Sequence, residues 1–467
     1  MPTNHICTIS PSTNQVIFSR PGASLEEART AAKKAKDAFK SYQSVPLPER
    51  KAIIQRALDR VDAKKDVLAH ELTAQMGRPI AASAKEIETM RKRADYLLGI
   101  ADTALDDIPG QPEEGFCRVV RKKPLGPVFI SSAWNFPYLI TANALVPALL
   151  AGNSVLLRPS PQTPLVAERL AEILTEAGLP PNVLQLVHIG SPDALDEIVQ
   201  IPEIASVSFT GSTEGGIRLR EATSRRVLPL SLELGGKDPA YVRADVDVKF
   251  AAEQVVDGAV FNSGQSCCSI ERVYVHADVH DEFLRELQAV LKTYTLGDPS
   301  EPTTAVGPVI SQPAKARIQA HIDDSLSKGA TNATPPNASF QHPPADGTYV
   351  APTLLVNTHH NMRVMREETF GPVIPVMAVS SDEEAVRLMN DSDYGLTASV
   401  WTEDIETASK LIDEIDAGTV FVNRCDYPSP DLAWTGWKDS GIGCTLGPRG
   451  FDAFVHLKSF HIKTKHD

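Results

Sequence analysis

The sequence predicts an α/β fold, in which a parallel sheet covered by helices is followed by a second, smaller-looped α/β unit. Three observations predict it. The first third of the chain carries apolar residues at helical spacing: Leu25, Ala28, Ala32, Ala35 and Phe39, then Ile53, Ile54, Ala57, Leu58 and Val61. From Gly126 onward, short apolar runs alternate with helical stretches. The runs lead into polar loops at their carboxyl ends, where a parallel sheet places its ligands.

Taken in order, helices are expected over about 25–39, 48–61 and 81–103. Five strand-like runs follow: GPVFISS, SVLLRPS, VLQLVHIG, ASVSFTGS and VLPLSLELGG. The stretches between them, 138–150, 164–177, 194–199 and 215–223, read as helices, which makes the sheet parallel. The second unit starts at Gly235, with a helix over 246–261, a loop NSGQSCC and an alternating strand IERVYVH. The polar stretch 330–347 reads as a surface loop, and α/β signal continues to Val422. Two further alternating runs, FCRVVRK and the tail FDAFVHLKSFHIKT, stand apart from both units. Unpaired strands are liabilities, so these are expected to form a sheet that joins copies of the chain. The resulting division is 1–110 with 124–234, then 235–435, with 111–123 and 445–467 as the oligomerisation strands.

A length of 467 residues suits about three domains. The net charge of −13 disfavours nucleic acid and anionic membrane as partners, since both would repel the protein. Six cysteines without a CxxC pair argue against a disulfide framework or a zinc site and for a reducing, cytoplasmic compartment. The first residues lack the pattern of a secretion signal, and KTKHD is not a sorting signal. The longest apolar stretch, 144–157, is broken by Pro147, Gly152 and Asn153 and is too short for a membrane span. No metal site is expected.

Three residues stand out chemically. Cys267 follows a glycine-containing turn, where a thiol can be exposed and nucleophilic, although free cysteines are most often small core residues. Glu233 closes an apolar strand and precedes two glycines. It is either a charge leaving the sheet for solvent or a general base at a cleft. Asn135, in SSAWNFP, is either a turn residue or an amide donor to an oxyanion, in surroundings made apolar by Trp134 and Phe136. FTGSTEGG opens a helix and could hold a pyrophosphate, but it is not a GxGxxG fingerprint.

Together these pieces resemble the NAD(P)-dependent aldehyde dehydrogenase superfamily. The motifs stand in family order: WNFP at 134–137, RPSPQTP at 158–164, FTGS at 209–212, ELGGK at 233–237, GQSC at 264–267, EETFGP at 367–372 and WTGWKDSG at 434–441. The resemblance implies a Rossmann-like cofactor domain, a second catalytic domain and a small β oligomerisation segment. It implies Cys267 as nucleophile, forming a thiohemiacetal and then a thioester with hydride transfer to the nicotinamide. Asn135 and the Cys267 N–H would hold the oxyanion, and Glu233 would activate the hydrolytic water. Cofactor contacts fall on Trp134, Arg158, Ser160, Pro161, Gly211, Ser212, Glu368 and Phe370, with Lys237 in support. Arg158 and Pro161 stand where relatives often carry Lys and Glu. The missing carboxylate would leave NADP tolerated or preferred alongside NAD. Phe136, Ile140, Asn143 and Arg424 would line the aldehyde tunnel, with Asn143 leaving it roomier or more polar and Arg424 able to pair an acidic tail. Thr445 replaces a Glu that many relatives use, so a proton relay through that position is in question. A homodimer or homotetramer is implied. The competing readings are a CoA-acylating relative, a non-catalytic structural relative and a cofactor-free cysteine hydrolase.

Overall fold

The computed structural model describes residues 4–464. The five apolar runs form one sheet, in the order Leu230–Glu233, Ser206–Thr210, Pro127–Ser131, Ser154–Arg158, Leu184–Leu186, all parallel. A two-residue strand, Gly441–Ile442, returns from far along the chain and pairs antiparallel with the edge at Glu233. Pro127–Ser131 is buried along its whole length, as a central parallel strand covered on both faces must be. The covering layers include Leu25–Tyr42 on one side and Pro137–Ala151 with Ile80–Leu105 on the other.

A second sheet of seven strands has the order Thr331–Asn332, Thr353–Val356, Val373–Val379, Ile270–His276, Asp238–Val242, Thr397–Trp401, Thr419–Val422. The run IERVYVH, expected to alternate, is instead buried on both faces at the sheet's centre. Its Glu271 and Arg272 therefore find partners inside the protein, described below. The stretch 330–347 holds a short strand and a helical turn, Ala338–Gln341.

The two isolated runs pair with each other. Val455–Lys463 lies antiparallel to Phe116–Pro124 over nine residues, with Ile108–Pro109 on the other edge. The tail strand is shorter than expected because Pro448–Phe454 forms a 3₁₀ turn before it. Sequence reading also missed the hairpin His5–Ile9/Val16–Pro21 and the helix Lys65–Met76. Among the described residues, no helix is long and apolar enough to cross a membrane.

Candidate active site

The first sheet ends its parallel strands at Ser131, Arg158, Thr210 and Glu233, so the loops that leave these residues share one rim. That rim is the ligand-binding edge of a parallel sheet. It faces the loop 262–268 and the loop 367–372 of the second unit. A cavity of about 600 Å³ opens beside the rim at Thr210 and Glu233 and the loop 262–268, and both Cys267 and Glu233 line it. Phe136, Ile140, Asn143 and Arg424 line it as well. Asn135 lies just behind the wall, buried, with its carbonyl accepting from Asn262 Nδ2 at 3.2 Å.

Glycines make this convergence possible. A Cβ on Gly235 would lie 2.4 Å from a Glu368 carboxylate oxygen, and one on Gly236 would lie 2.8 Å from the Cys267 carbonyl. Only a bare backbone lets the strand carrying Glu233 approach the loops carrying Cys267 and Glu368 so closely. The loop before Cys267 leaves its helix through two left-handed residues, Asn262 (φ 54°) and Ser263 (φ 59°). Asn tolerates that region, whereas Ser263 is held there at a cost, with its hydroxyl donating to the Gly307 carbonyl at 2.9 Å.

Two buried ion pairs, neither noticed in the sequence, fix the surrounding loops. Arg78 pairs with Glu86, donates to the Asn135 carbonyl and reaches Asn262 Oδ1 at 3.0 Å. Glu86 in turn accepts from the Tyr138 N–H at 2.9 Å, at the start of Pro137–Ala151. A carboxylate there satisfies orphan N–H groups and suits the helix dipole. Lys237 pairs with Glu271 at 2.6 Å, and Glu271 accepts from the N–H groups of Thr369 and Phe370 at 2.7 and 2.8 Å. Lys237 therefore anchors the loop that carries Glu368.

Glu233 accepts hydrogen bonds from the Thr445 hydroxyl and, at 3.4 Å, from Thr210. Burial pushes its carboxyl up from the ordinary range, while these hydroxyls and the nearby Arg93 charge hold it back. Cys267 is half-buried at the cavity wall. Its neighbour Cys268 is buried and donates to Asp426 at 2.7 Å. Contact with Cys267 and burial raise the Cys268 thiol well above its usual range.

The dinucleotide side can be tested against the residues present. Arg158 is pushed down to about 10 by burial; its Nη1 donates to Ser131 Oγ at 3.2 Å, and its Nε has no partner. Thr163 Oγ1 is likewise buried without one. Ser160 is buried, and Pro161 offers its carbonyl to Thr8 rather than to the rim. Gly211 and Ser212 lead into Thr213–Thr223, which Ser212 caps by accepting from the Gly215 N–H at 3.2 Å. Glu368 accepts from the Gly236 N–H at 3.2 Å and is pushed up to about 7 by burial. Trp134 packs edge-on against Phe370, centroids 5.5 Å apart. Unpaired cationic and hydroxyl groups, a helix start and a carboxylate beside aromatic rings fit a dinucleotide laid along the rim.

The structure details two of the tunnel expectations. Of the two readings of Asn143 the geometry supports the polar one: its Oδ1 accepts from Arg93 Nη1 at 3.0 Å, which brings a guanidinium from Ile80–Leu105 beside it. Arg424 is exposed and stacks over Tyr427, 3.8 Å from the ring centroid, while Arg78 and Arg93 are the buried guanidinium groups of the lining. Among the described residues no histidine lines the cavity, which removes the thiol's partner in the hydrolase reading. None of the described residues form a metal-ligand cluster.

Comparison with known proteins agrees with this geometry. The model of the "Aldehyde dehydrogenase family" matches residues 2–460. The chain is 33% identical to the 3,6-anhydro-alpha-L-galactose dehydrogenase of Streptomyces coelicolor, over 97% of this chain and 92% of that one. It superposes on an NAD-dependent aldehyde dehydrogenase from Sinorhizobium meliloti with a TM-score of 0.94 at 31% identity, covering 99% of this chain and 92% of that one. An NADP-dependent enzyme of E. coli matches with a TM-score of 0.93 at 29% identity, covering 98% and 95%.

Proposed function

Because the chain belongs to the aldehyde dehydrogenase family, whose members oxidise aldehydes with NAD or NADP, we propose that Cys267 is its nucleophile, Glu233 its hydrolytic base and Asn135 its oxyanion donor. The observation that carries this is the shared cavity, with a thiol and a carboxylate in its wall and the buried Asn135 beside Phe136 of the same lining. The Cys267 thiolate adds to the aldehyde carbon. The new oxyanion is met by the Asn135 amide and the Cys267 N–H, a contribution worth roughly 3 kcal/mol per donor. When bound, the nicotinamide supplies the hydride acceptor. Loss of hydride leaves a thioester on Cys267. Glu233 then takes a proton from water, which attacks the thioester and frees the carboxylic acid and the thiolate.

Glu233→Gln is expected to keep the acylation burst and lose steady-state turnover; unchanged burst and unchanged turnover would reject the base. Thr445 sets the working range of that base. Its hydroxyl stabilises the ionised carboxylate, so Thr445→Val is expected to move the acid limb of a deacylation-limited kcat profile upward by about one pH unit, the worth of a hydrogen bond to a charged group. Thr445→Ser is expected to restore it. An acid limb that stays in place in the valine variant would show that the hydroxyl does not hold the base.

A carboxylate poised for water favours hydrolysis over transfer to CoA, and product formation with and without CoA separates the two. Arg158, a half-buried cation without a carboxylate partner, supports use of NADP at least as well as NAD. The kcat/KM ratio for the two cofactors is expected at or above one for NADP; a strong NAD preference would reject this. The cofactor domain is assigned to the first sheet and the catalytic domain to the second. The largely exposed edge strand Val455–Lys463 supports a homo-oligomer, and six unpaired cysteines support a cytoplasmic setting.

A further inference from the structure

We infer that Arg93 and Asn143 form a recognition site for a carboxylate at the far end of the aldehyde, so that the preferred substrates are short oxo acids. This rests on the assignment of Cys267 and Glu233 above, because it takes their cavity as the substrate cavity.

Arg93 comes from Ile80–Leu105, is only 6% exposed and lines the cavity. It forms no ion pair among the described residues. Of its five N–H donors, Nη1 is given to Asn143 Oδ1 at 3.0 Å and Nη2 to the Pro428 carbonyl at 3.2 Å. Among the described residues the other donors have no acceptor. Arg78, in the same wall, shows what a self-sufficient guanidinium looks like: it has a carboxylate, an amide oxygen and a carbonyl. The hydrogen-bond partners of Arg93 are all neutral and only the charge of Glu233 acts on it from nearby, so burial of the guanidinium is incompletely offset and an anionic ligand reduces that cost.

Asn143 sharpens the reading. Because its Oδ1 is turned to Arg93, its amide N–H₂ is left as a donor, and it too has no acceptor among the described residues. Two adjacent donor groups with one positive charge match the two oxygens of a carboxylate. Arg93 also sits close enough to Glu233, Cys267 and Cys268 for its charge to act on all three. A substrate reaching from thiol to guanidinium stays within this one cavity of about 600 Å³. The exposed Lys85 and Arg424 stand at the same cavity and extend the positive field outward.

The cavity also holds acids besides Glu233. Asp426 accepts from Cys268 and from Ser266 at 3.0 Å and is pushed up to about 7 by burial. Asp257 lines the cavity too, its carboxyl raised by desolvation with the Lys85 charge holding it back, and it forms no ion pair among the described residues. An amino aldehyde drawn to these acids is the rival outcome.

The test measures nicotinamide reduction by the wild-type enzyme with 4-oxobutanoate, butanal and 4-aminobutanal. The oxo acid is expected to exceed both others at least tenfold in kcat/KM. Arg93→Gln is expected to lower the ratio of oxo acid to butanal at least tenfold, mainly through KM, and Arg93→Lys to recover part of it. Preference of the wild type for butanal or the amine would overturn the proposal. So would equal losses on all substrates in Arg93→Gln, which would make Arg93 a partner of Glu233 or the thiol instead. Calorimetric binding of succinate against succinamide to the wild type decides the matter without a variant or turnover. Tighter succinate binding supports the anion site even if Cys267 is misassigned, and equal binding overturns it.

Discussion

Cys267→Ala is expected to lose turnover by roughly 10⁴-fold or more, because removing a covalent nucleophile removes the path and not merely a contact. Cofactor affinity is expected to hold within about threefold, since the rim loops after Ser131, Arg158 and Thr210 belong to the first sheet and not to the loop 262–268. Equilibrium titration and steady-state rates measure the two quantities. The adjacent thiol cannot take over: Cys268 is buried, donates to Asp426 and is held protonated well beyond the usual thiol range. Trapping the acyl group in Glu233→Gln and locating it by peptide mass spectrometry separates the two cysteines. An acyl group on Cys268, or normal dehydrogenase activity in Cys267→Ala, would overturn the assignment.

The five parallel strands were legible because each is a short apolar run that ends in a polar loop, and the loops carry the motifs. The convergence of Cys267, Glu233 and Asn135 came from motif order rather than from local pattern. What sequence reading missed is instructive. Glu86 and Arg93 fall in the apolar register of one helix, with Ser83, Ile87, Met90, Ala94 and Leu97, so two charges on a buried stripe were a visible signal. Their partners were not visible. Arg78 meets Asn262 across 184 residues, and Thr445 meets Glu233 across 212. Such pairs are specified by tertiary packing, and no local periodicity encodes them. Glu271 was hidden differently: IERVYVH alternates like a half-exposed strand, yet it is central, so its charged side chains had to be answered from within.

Glu271→Ala is expected to be the most destabilising single change, about 3–5 kcal/mol, the cost of leaving one partner of a buried ion pair uncompensated. Lys237 would keep its charge in a site where neither side chain is more than 4% exposed, and the Thr369 and Phe370 N–H groups would lose their acceptor. Because those two residues follow Glu368, cofactor binding is expected to weaken along with stability. The pH dependence has a definite sign. Burial already lowers the Lys237 pKa, and loss of Glu271 lowers it further. The folded variant then binds fewer protons than the unfolded chain up to the ordinary lysine value near pH ~10, so its stability rises with pH across that window. Wild type, with the ion pair intact, is expected to show less of this recovery between pH 7 and 9. Denaturant midpoints at several pH values measure it, and the double change Lys237→Met with Glu271→Leu is expected to regain most of the loss by removing the stranded charge. A Glu271→Ala protein as stable as wild type at pH 7 would show that the loop carrying Glu368 is held by something other than this pair.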